Sequence, residues 1–291
     1  MNCLIAVLAI VGLTLCASRV AESGEHSPSI DADTALVVAV DVSNSVDRDR
    51  YRIQMDGIAA ALEDESVIQA ITSGDKGAIF LSVVMWADSA EVTLPWRRIS
   101  SHDEAIAVAQ EIRKLPQKGG EYTCLSRMLG FLNERVVPGI SGLAEHVVVD
   151  VSGDGIDNCV EKEATDFQRD QLTALGVTIN GLPIMVPGEN DVVGAGAYRA
   201  PGFGLKELPR GPDSETTTLD AWYRAHVIGG TAAFLLPANG YQDFPRAFRQ
   251  KFVSEISSAL FDQRFRELPS SMGFVVRQIP DLSLTSTAKA R

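Results

Sequence analysis

Two patterns of apolar residues alternate along the chain. In the first, apolar residues follow one another without interruption, as in 35–40. Such runs, rich in β-branched residues, are typical of strands buried on both faces of a sheet. In the second, apolar residues recur every three or four positions, as in an amphipathic helix. Strands are therefore predicted at 35–41, 78–86, 90–96, 146–151, 177–185 and 232–236, and helices at 47–71, 102–115, 123–135, 161–175, 219–228 and 244–265.

The alternation of strands with helices predicts an α/β fold. Helical connections between strands demand a doubly wound, mostly parallel sheet with helices on both faces, as in Rossmann-like folds. The segment at 90–96 differs, because it follows a short turn at 88–89 and alternates apolar with polar residues. We therefore expect it to be an antiparallel edge strand.

The same pattern divides the chain into segments. Residues 4–15 are apolar and uncharged, and small residues follow them, which is typical of a secretory signal peptide. A retained membrane anchor and a lipoprotein modified at Cys16 are the alternatives. We predict a signal peptide at 1–21, a linker at 22–34, one domain at 35–265 with a long Gly- and Pro-rich loop at 186–218, and a C-terminal tail at 266–291.

Composition narrows the class of partner. The chain has 291 residues, of which 45% are hydrophobic, enough for the core of one large or two small domains. Its formal net charge of −12, with no basic stripe, argues against binding to nucleic acid phosphates. We expect a membrane interaction only if the N-terminal segment is retained or lipidated.

Oxygen-bearing side chains follow two of the predicted buried strands. Asp41-Val42-Ser43-Asn44-Ser45 ends the first strand, and Ser152-Gly153-Asp154-Gly155 follows the fourth. Ligands of such sheets bind beyond the carboxyl ends of the strands, where the strand order reverses. If these two strands are neighbours there, both carboxylates face one crevice. Carboxylate and hydroxyl oxygens packed so closely suit a small divalent cation.

A third segment, Gly119-Gly120-Glu121-Tyr122-Thr123, places a threonine after a Gly-rich turn. Together with Asp41-x-Ser43-x-Ser45 and Asp154-Gly155, it makes residues 34–261 resemble the von Willebrand factor A (VWA) family at its metal-ion-dependent adhesion site (MIDAS). The Asp-Val-Ser-Gly-Asp-Gly run at 150–155 and Val-Ile-Gly-Gly at 227–230 also resemble an uncharacterised bacterial family of exported proteins with this domain.

The resemblance implies a metal site made by Asp41, Ser43, Ser45, Thr123 and Asp154. It implies Mg²⁺ as the ion, with Mn²⁺ or Ca²⁺ as alternatives. In the family, an acidic side chain of a partner protein takes the open coordination position. The resemblance further implies a bacterial protein exported to the periplasm or the cell exterior, where it binds a protein whose identity the sequence does not reveal.

Asp150 has other interpretations. With Ser152, Asp154 and Glu161 it has the spacing of an EF-hand loop, but such a loop follows a helix, and the residues before Asp150 predict a strand. A carboxylate within a buried strand needs partners. Asp150 therefore either supports the metal ligands from behind or caps neighbouring backbone.

Two cysteines, Cys124 and Cys159, lie outside the predicted signal peptide. An even pair in an exported protein indicates a disulfide, with two unpaired thiols as the alternative. Cys124 follows Thr123, and Cys159 lies five residues after Asp154, so a bridge would join two loops of the metal site.

The sequence contains no nucleophile elbow, zinc-protease motif or P-loop. We therefore expect an adhesion or scaffold module rather than an enzyme. The alternatives are a hydrolase in which the metal activates water and a scaffold whose metal site is empty. The loop at 186–218 follows a parallel strand and should emerge beside the site, with Tyr198, Arg199, Phe203 and Trp222 as candidate contacts to the partner.

Overall fold

The structure, a computed structural model, describes residues 30–159, 162–194 and 216–266, with side chains up to residue 257. Several sequence predictions therefore lie outside the described residues. They are the signal peptide, the linker up to residue 29, the loop contacts Tyr198, Arg199 and Phe203, and the tail beyond residue 266.

Strands and helices alternate as the hydrophobic pattern predicts. The strands are β1 (Ala32–Asp41), β2 (Ile79–Trp86), β3 (Ala90–Ile99), β4 (Ala144–Gly153), β5 (Thr178–Met185), β6 (Val193–Gly194), β7 (Thr216–Thr217) and β8 (Ala238–Asn239). The helices are α1 (Arg48–Leu62), α2 (Glu65–Thr72), α3 (His102–Arg113), α4 (Leu125–Phe131), α5 (Lys162–Ala174), α6 (Leu219–His226) and α7 (Phe244–Arg266). A π-helical turn at Leu132–Val136 and 3-10 turns at Val137–Gly139 and Tyr241–Asp243 complete the order.

Six of these strands form one sheet in the order β3-β2-β1-β4-β5-β8. Neighbouring strands are parallel, except that β3 runs antiparallel to β2 at the edge. This confirms the predicted doubly wound fold and its antiparallel edge strand. The reversal of strand order lies between β1 and β4, so the loops after these two strands diverge over one crevice.

Helices cover both faces of the sheet. All ten residues of the central strand β1 are buried. Its side chains at 36, 38 and 40 belong to a core cluster with α1, α3 and α7, whereas those at 37 and 39 belong to a cluster with α4, α5 and α6. Burial on both faces explains why the apolar run in β1 shows no alternation.

Two predicted elements are wrong. The helix predicted at 47–71 is two helices, because Asp64 caps α2 by accepting a hydrogen bond from the Ser66 N–H at 3.0 Å. The strand predicted at 232–236 makes only an isolated bridge, between Leu235 and Gly181, and the paired strand β8 lies further along the chain. The turn at Gly230, which has a φ of +91°, reverses the chain between an antiparallel bridge of Gly229 to β5 and the parallel bridge of Leu235, so no continuous strand forms there.

Within the described ranges, no helix has both the length and the apolar character needed to cross a membrane.

A charged cluster lies inside the core beneath α7. Lys251 is fully buried, its Nζ lies 2.7 Å from Asp150 Oδ1 of β4, and it also donates to Glu255 Oε1. Asn180 of β5 donates to the same Glu255 oxygen at 2.9 Å. The Lys251 ammonium thus faces two carboxyl groups, and the cluster as a whole joins α7 to β4 and β5.

This cluster predicts a pH-dependent contribution to stability. Burial, more than the nearby Asp150 carboxylate, raises the pKa of Glu255 from 4.5 to about 7, while Lys251 opposes the rise. Because the folded pKa exceeds the unfolded one, the stabilising contribution is fully present below pH 4.5 and is lost as the pH rises through about 7. Glu255→Gln should therefore gain unfolding free energy relative to the wild type between about pH 5 and about pH 8. Urea denaturation across this range measures the gain.

The exposed Glu91 is the control for that substitution. Its side chain is 56% exposed and pairs with Lys118 at the surface. Because water solvates its carboxylate, Glu91→Gln should change the free energy of unfolding by less than about 1 kcal/mol. If the effect of Glu255→Gln did not vary with pH, the pH-dependent contribution of the buried cluster would be refuted.

Candidate metal centre

The candidate site lies at the carboxyl ends of two neighbouring parallel strands. Asp41 is the last residue of β1, and Asp154 directly follows β4. These strands pair along their length, with Val40 opposite Ser152. The two carboxylates expected to share a crevice are therefore placed there by the strand order.

A chain of hydrogen bonds joins the five predicted ligands. The Ser43 N–H donates to Asp41 Oδ1 at 2.7 Å, which folds the loop back over the end of β1. Ser43 Oγ lies 3.2 Å from Ser45 Oγ and accepts a hydrogen bond from Thr123 Oγ1 at 3.3 Å. Ser45 Oγ donates to Asp154 Oδ1 at 2.6 Å. Three loops that are distant in sequence thus bring two carboxylates and three hydroxyls together.

The loop that carries Thr123 is held on both sides. Asp88 accepts hydrogen bonds from the two backbone N–H groups before Thr123, at 2.9 and 2.8 Å. The Thr123 N–H donates to Asn158 Oδ1 at 2.9 Å, and the Asn158 N–H donates to the Thr123 carbonyl at 3.0 Å. The predicted disulfide is present between Cys124 and Cys159, whose Cα atoms are 5.2 Å apart. The bridge joins the Thr123 loop to the loop after Asp154.

The two carboxylates lie in a setting that disfavours their charge. Burial, followed by the neighbouring charge of Asp154, raises the pKa of Asp41 to about 8. Burial also raises the pKa of Asp154, although its hydrogen bonds from Ser45 and Tyr241 act in the opposite direction. Like charges that are buried together need a cation between them to remain ionised.

The donor set fits a hard divalent cation. Asp41 Oδ2 is buried and makes no hydrogen bond with any described group, so one carboxylate oxygen is free to act as a ligand. Within the described ranges, no three His, Cys, Asp or Glu side chains come close enough to hold a metal ion together. A metal at this position would therefore rely on two carboxylates and neutral hydroxyls, an all-oxygen set that suits Mg²⁺, Mn²⁺ or Ca²⁺.

Several residues that contact Asp154 were not predicted from the sequence. Tyr241 Oη donates to Asp154 Oδ2 at 2.8 Å, and Asn190 Nδ2 donates to the Asp154 carbonyl at 2.7 Å. The Arg50 guanidinium lies 3.7 Å from Asp154 Oδ2 and is held by two hydrogen bonds to Glu189 at 2.9 and 2.6 Å. None of them belongs to a motif, and no local pattern in the sequence indicates that they lie beside the site.

Asp150 has a different partner from those expected. It points to the α7 face of the sheet, where it pairs with Lys251. The structure thus offers it a role as counter-ion in the buried cluster. The residues before it form β4, which continues to Gly153, so the helix that an EF-hand loop requires is replaced by a strand.

The fold is that of VWA domains in solved structures. Proximal thread matrix protein 1 from the mussel byssus is 13% identical, with a TM-score of 0.51 over 79% of this chain and 48% of that chain. A structure of that protein with a zinc-occupied MIDAS motif gives 14% and 0.52, over 79% and 49% of the two chains. A von Willebrand factor type A protein from Catenulispora acidiphila gives 16% and 0.50, over 77% and 43%. This chain therefore spans about half the length of the mussel protein and less than half of the bacterial one.

No curated protein is significantly similar to the chain in sequence. A family described as "Protein of unknown function (DUF1194)" matches residues 31–260. The match runs from just before β1 into α7 and includes every strand of the central sheet. The chain therefore belongs to the DUF1194 family, and its fold is that of a VWA domain.

Proposed function

We propose that this protein is a metal-dependent protein-binding module. The observation that carries the proposal is the pair of buried carboxylates, Asp41 and Asp154, which hydrogen bonds of Ser43, Ser45 and Thr123 from two other stretches of loop join into one cluster. The zinc-occupied MIDAS motif of the mussel neighbour supports a divalent cation in this fold. When bound, the cation would act as a Lewis acid with an open position for an acidic side chain of a protein partner.

The five side chains have distinct roles in this proposal. Asp41 and Asp154 supply the negative charge, while Ser43, Ser45 and Thr123 supply neutral oxygens directly or through water. Neutral ligands leave the ion part of its positive charge, which is what attracts a carboxylate from outside. Mg²⁺ is the favoured ion, because it keeps several waters and needs only one or two protein carboxylates.

Export is part of the proposal. The disulfide between Cys124 and Cys159 supports it, because disulfides persist in oxidising compartments such as the periplasm or the cell exterior. The apolar segment at 4–15 would serve as the signal peptide.

Thermal denaturation with and without Mg²⁺, Mn²⁺ and Ca²⁺ tests the metal site. An ion that binds only the folded state stabilises it by about 2.7 kcal/mol at a hundred times its dissociation constant. For a domain of this size we expect the melting temperature to rise by about 5–10 °C. In Asp41→Asn, or in Asp154→Ala, the rise should disappear. Asp41→Asn removes a buried negative charge and should melt no lower than the ion-free wild type, so loss of the response would not reflect unfolding.

Asp33 provides a matched control at the opposite end of β1. It is also a buried aspartate, and it accepts hydrogen bonds from the backbone of Lys76 and Ala78 at 2.9 and 3.3 Å. Asp33→Asn should lower the melting temperature without metal but keep the full rise with metal. If no ion at millimolar concentration shifts the wild type, the metal-dependent function is refuted, and the alternative of a scaffold with an empty site remains.

A further inference from the structure

A second tyrosine, Tyr223, directs its hydroxyl at the same site from the opposite side of the sheet to Tyr241. Tyr223 belongs to α6 and to the core cluster on the α4–α6 face, and its side chain is fully buried. Its Oη makes no hydrogen bond with any described group. Burying a hydroxyl without a hydrogen-bond partner costs free energy, so we expect a ligand, a water or another polar group next to this oxygen.

Two glycines make room for this ring. A Cβ atom on Gly181 of β5 would lie 3.2 Å from Tyr223 Cδ1, and a Cβ atom on Gly153 of β4 would lie 2.7 Å from Tyr223 Oη. The ring thus crosses two neighbouring strands where side chains are missing. It delivers its hydroxyl to the end of β4, directly before Asp154.

The hydroxyl meets the free oxygen of Asp41 at that point. The same Cβ position on Gly153 lies 3.0 Å from Asp41 Oδ2, the buried carboxylate oxygen that also makes no hydrogen bond with a described group. Two oxygens that both lie so near one point are separated by no more than the span of a hydrogen bond or of a single bridging water. A buried donor and a buried acceptor, each without another partner, therefore face the same small space.

We propose that Tyr223 is a positioning residue that orients Asp41 for metal binding by donating to its Oδ2 through one bridging water. This inference rests on the metal-binding function proposed above. Asp41 Oδ1 is already held by the Ser43 N–H, so a second donor at Oδ2 fixes the rotation of the carboxylate. Burial, and then the charges of Asp41 and Asp154, raise the pKa of Tyr223 well above its usual value, so the phenol stays a donor.

In this proposal each tyrosine orients one of the two carboxylates. Tyr241 donates to Asp154, and the Tyr223 hydroxyl lies near Asp41 Oδ2. Partners that orient metal ligands in this way are typically worth tenfold to a hundredfold in metal affinity. Both tyrosines lie after residue 216, whereas all five proposed ligands lie before residue 155. The later part of the chain would therefore influence how tightly the site binds metal.

The test is a titration of the disulfide-intact protein with Mn²⁺ as the sole ligand. Calorimetry and the electron paramagnetic resonance signal of free Mn²⁺ measure the binding. Tyr223→Phe should weaken Mn²⁺ binding by about tenfold or more. Its melting temperature without metal should fall by no more than about 2–4 °C, because the variant keeps the buried ring and loses at most about 1 kcal/mol of hydrogen bonding. Loss of metal affinity without a matching loss of stability is a result that a merely structural tyrosine would not produce.

Tyr51 is the matched control. It is also buried, but its Oη donates to the Leu115 carbonyl at 2.7 Å. Tyr51→Phe should show the reverse pattern, with a lower melting temperature and unchanged Mn²⁺ affinity. If wild type and Tyr223→Phe bind Mn²⁺ equally, the role of Tyr223 is overturned and the metal site stands. If the wild type binds no Mn²⁺, both proposals are overturned.

Discussion

Lys251→Met is expected to lower the free energy of unfolding by about 3–5 kcal/mol at neutral pH. Lys251 is fully buried, with its ammonium against Asp150 and Glu255. Methionine is also long and flexible but carries no charge, so the variant leaves two buried carboxyl groups near each other without a cation. Each must then lose solvation unpaired or take up a proton, and both are costly. Equilibrium urea denaturation measures the loss.

Lys118→Met is the surface counterpart of this substitution. Lys118 Nζ donates to both carboxylate oxygens of Glu91 at 2.6 Å, but the two side chains are 49% and 56% exposed. Because water solvates both charges, we expect a loss below about 1 kcal/mol. Adding Asp150→Asn to Lys251→Met should recover part of the stability, since it removes one of the two buried carboxylates that lack a cation in the single variant. Equal small losses in both lysine variants would contradict the proposed anchoring of α7 by the buried cluster.

Removal of the disulfide is expected to cost about 3–4 kcal/mol of unfolding free energy. Cys124 and Cys159 are 35 positions apart, and a bridge of that span reduces the conformational entropy of the unfolded chain. The bridge also joins the Thr123 loop to the loop after Asp154, so Mn²⁺ affinity should fall together with stability. Urea denaturation and Mn²⁺ titration of Cys124→Ala/Cys159→Ala measure the two effects.

Treatment with reductant distinguishes the effect of losing the disulfide from the effect of the two cysteine substitutions. The wild type treated with reductant should lose stability as the double variant does, while reductant should leave the double variant unchanged. The Thr123–Asn158 hydrogen bonds remain in both cases, so the fold should persist. Equal thiol counts in the purified wild type before and after reduction would show that the bridge is absent and would refute this prediction.

Local patterns were sufficient for the fold class and for the loops of the site. Residues 35–40 read as a buried strand because β1 is covered on both faces, and every residue of that strand is indeed buried. The polar residues after β1 and β4 are close in sequence to the strands that carry them, so loop position predicted one shared crevice if the two strands are neighbours, and the strand order meets that condition. The predicted antiparallel edge strand followed equally from a short turn and alternating polarity.

Errors arose where a local pattern was compatible with two structures. The helical period runs through residue 71, but the cap at Asp64 ends one helix and starts another. The apolar run at 232–236 is as hydrophobic as a strand, yet only one isolated bridge forms there. None of its residues is fully buried, and hydrophobicity does not distinguish partial packing against a sheet from pairing within it.

The sequence by itself determined an α/β domain, because alternating apolar patterns depend on residues close together along the chain, and its resemblance to the VWA family predicted the five oxygen-bearing side chains proposed as metal ligands. Only the tertiary structure brought Tyr223 and Tyr241 to the carboxylates, gave Asp150 its counter-ion on α7, and set Arg50 against Glu189. Those pairs lie tens to more than a hundred positions apart. They meet because the strand order and the helix packing bring distant segments to one place. A single tyrosine, lysine or arginine belongs to no local sequence pattern, so such a contact is not predicted from the sequence.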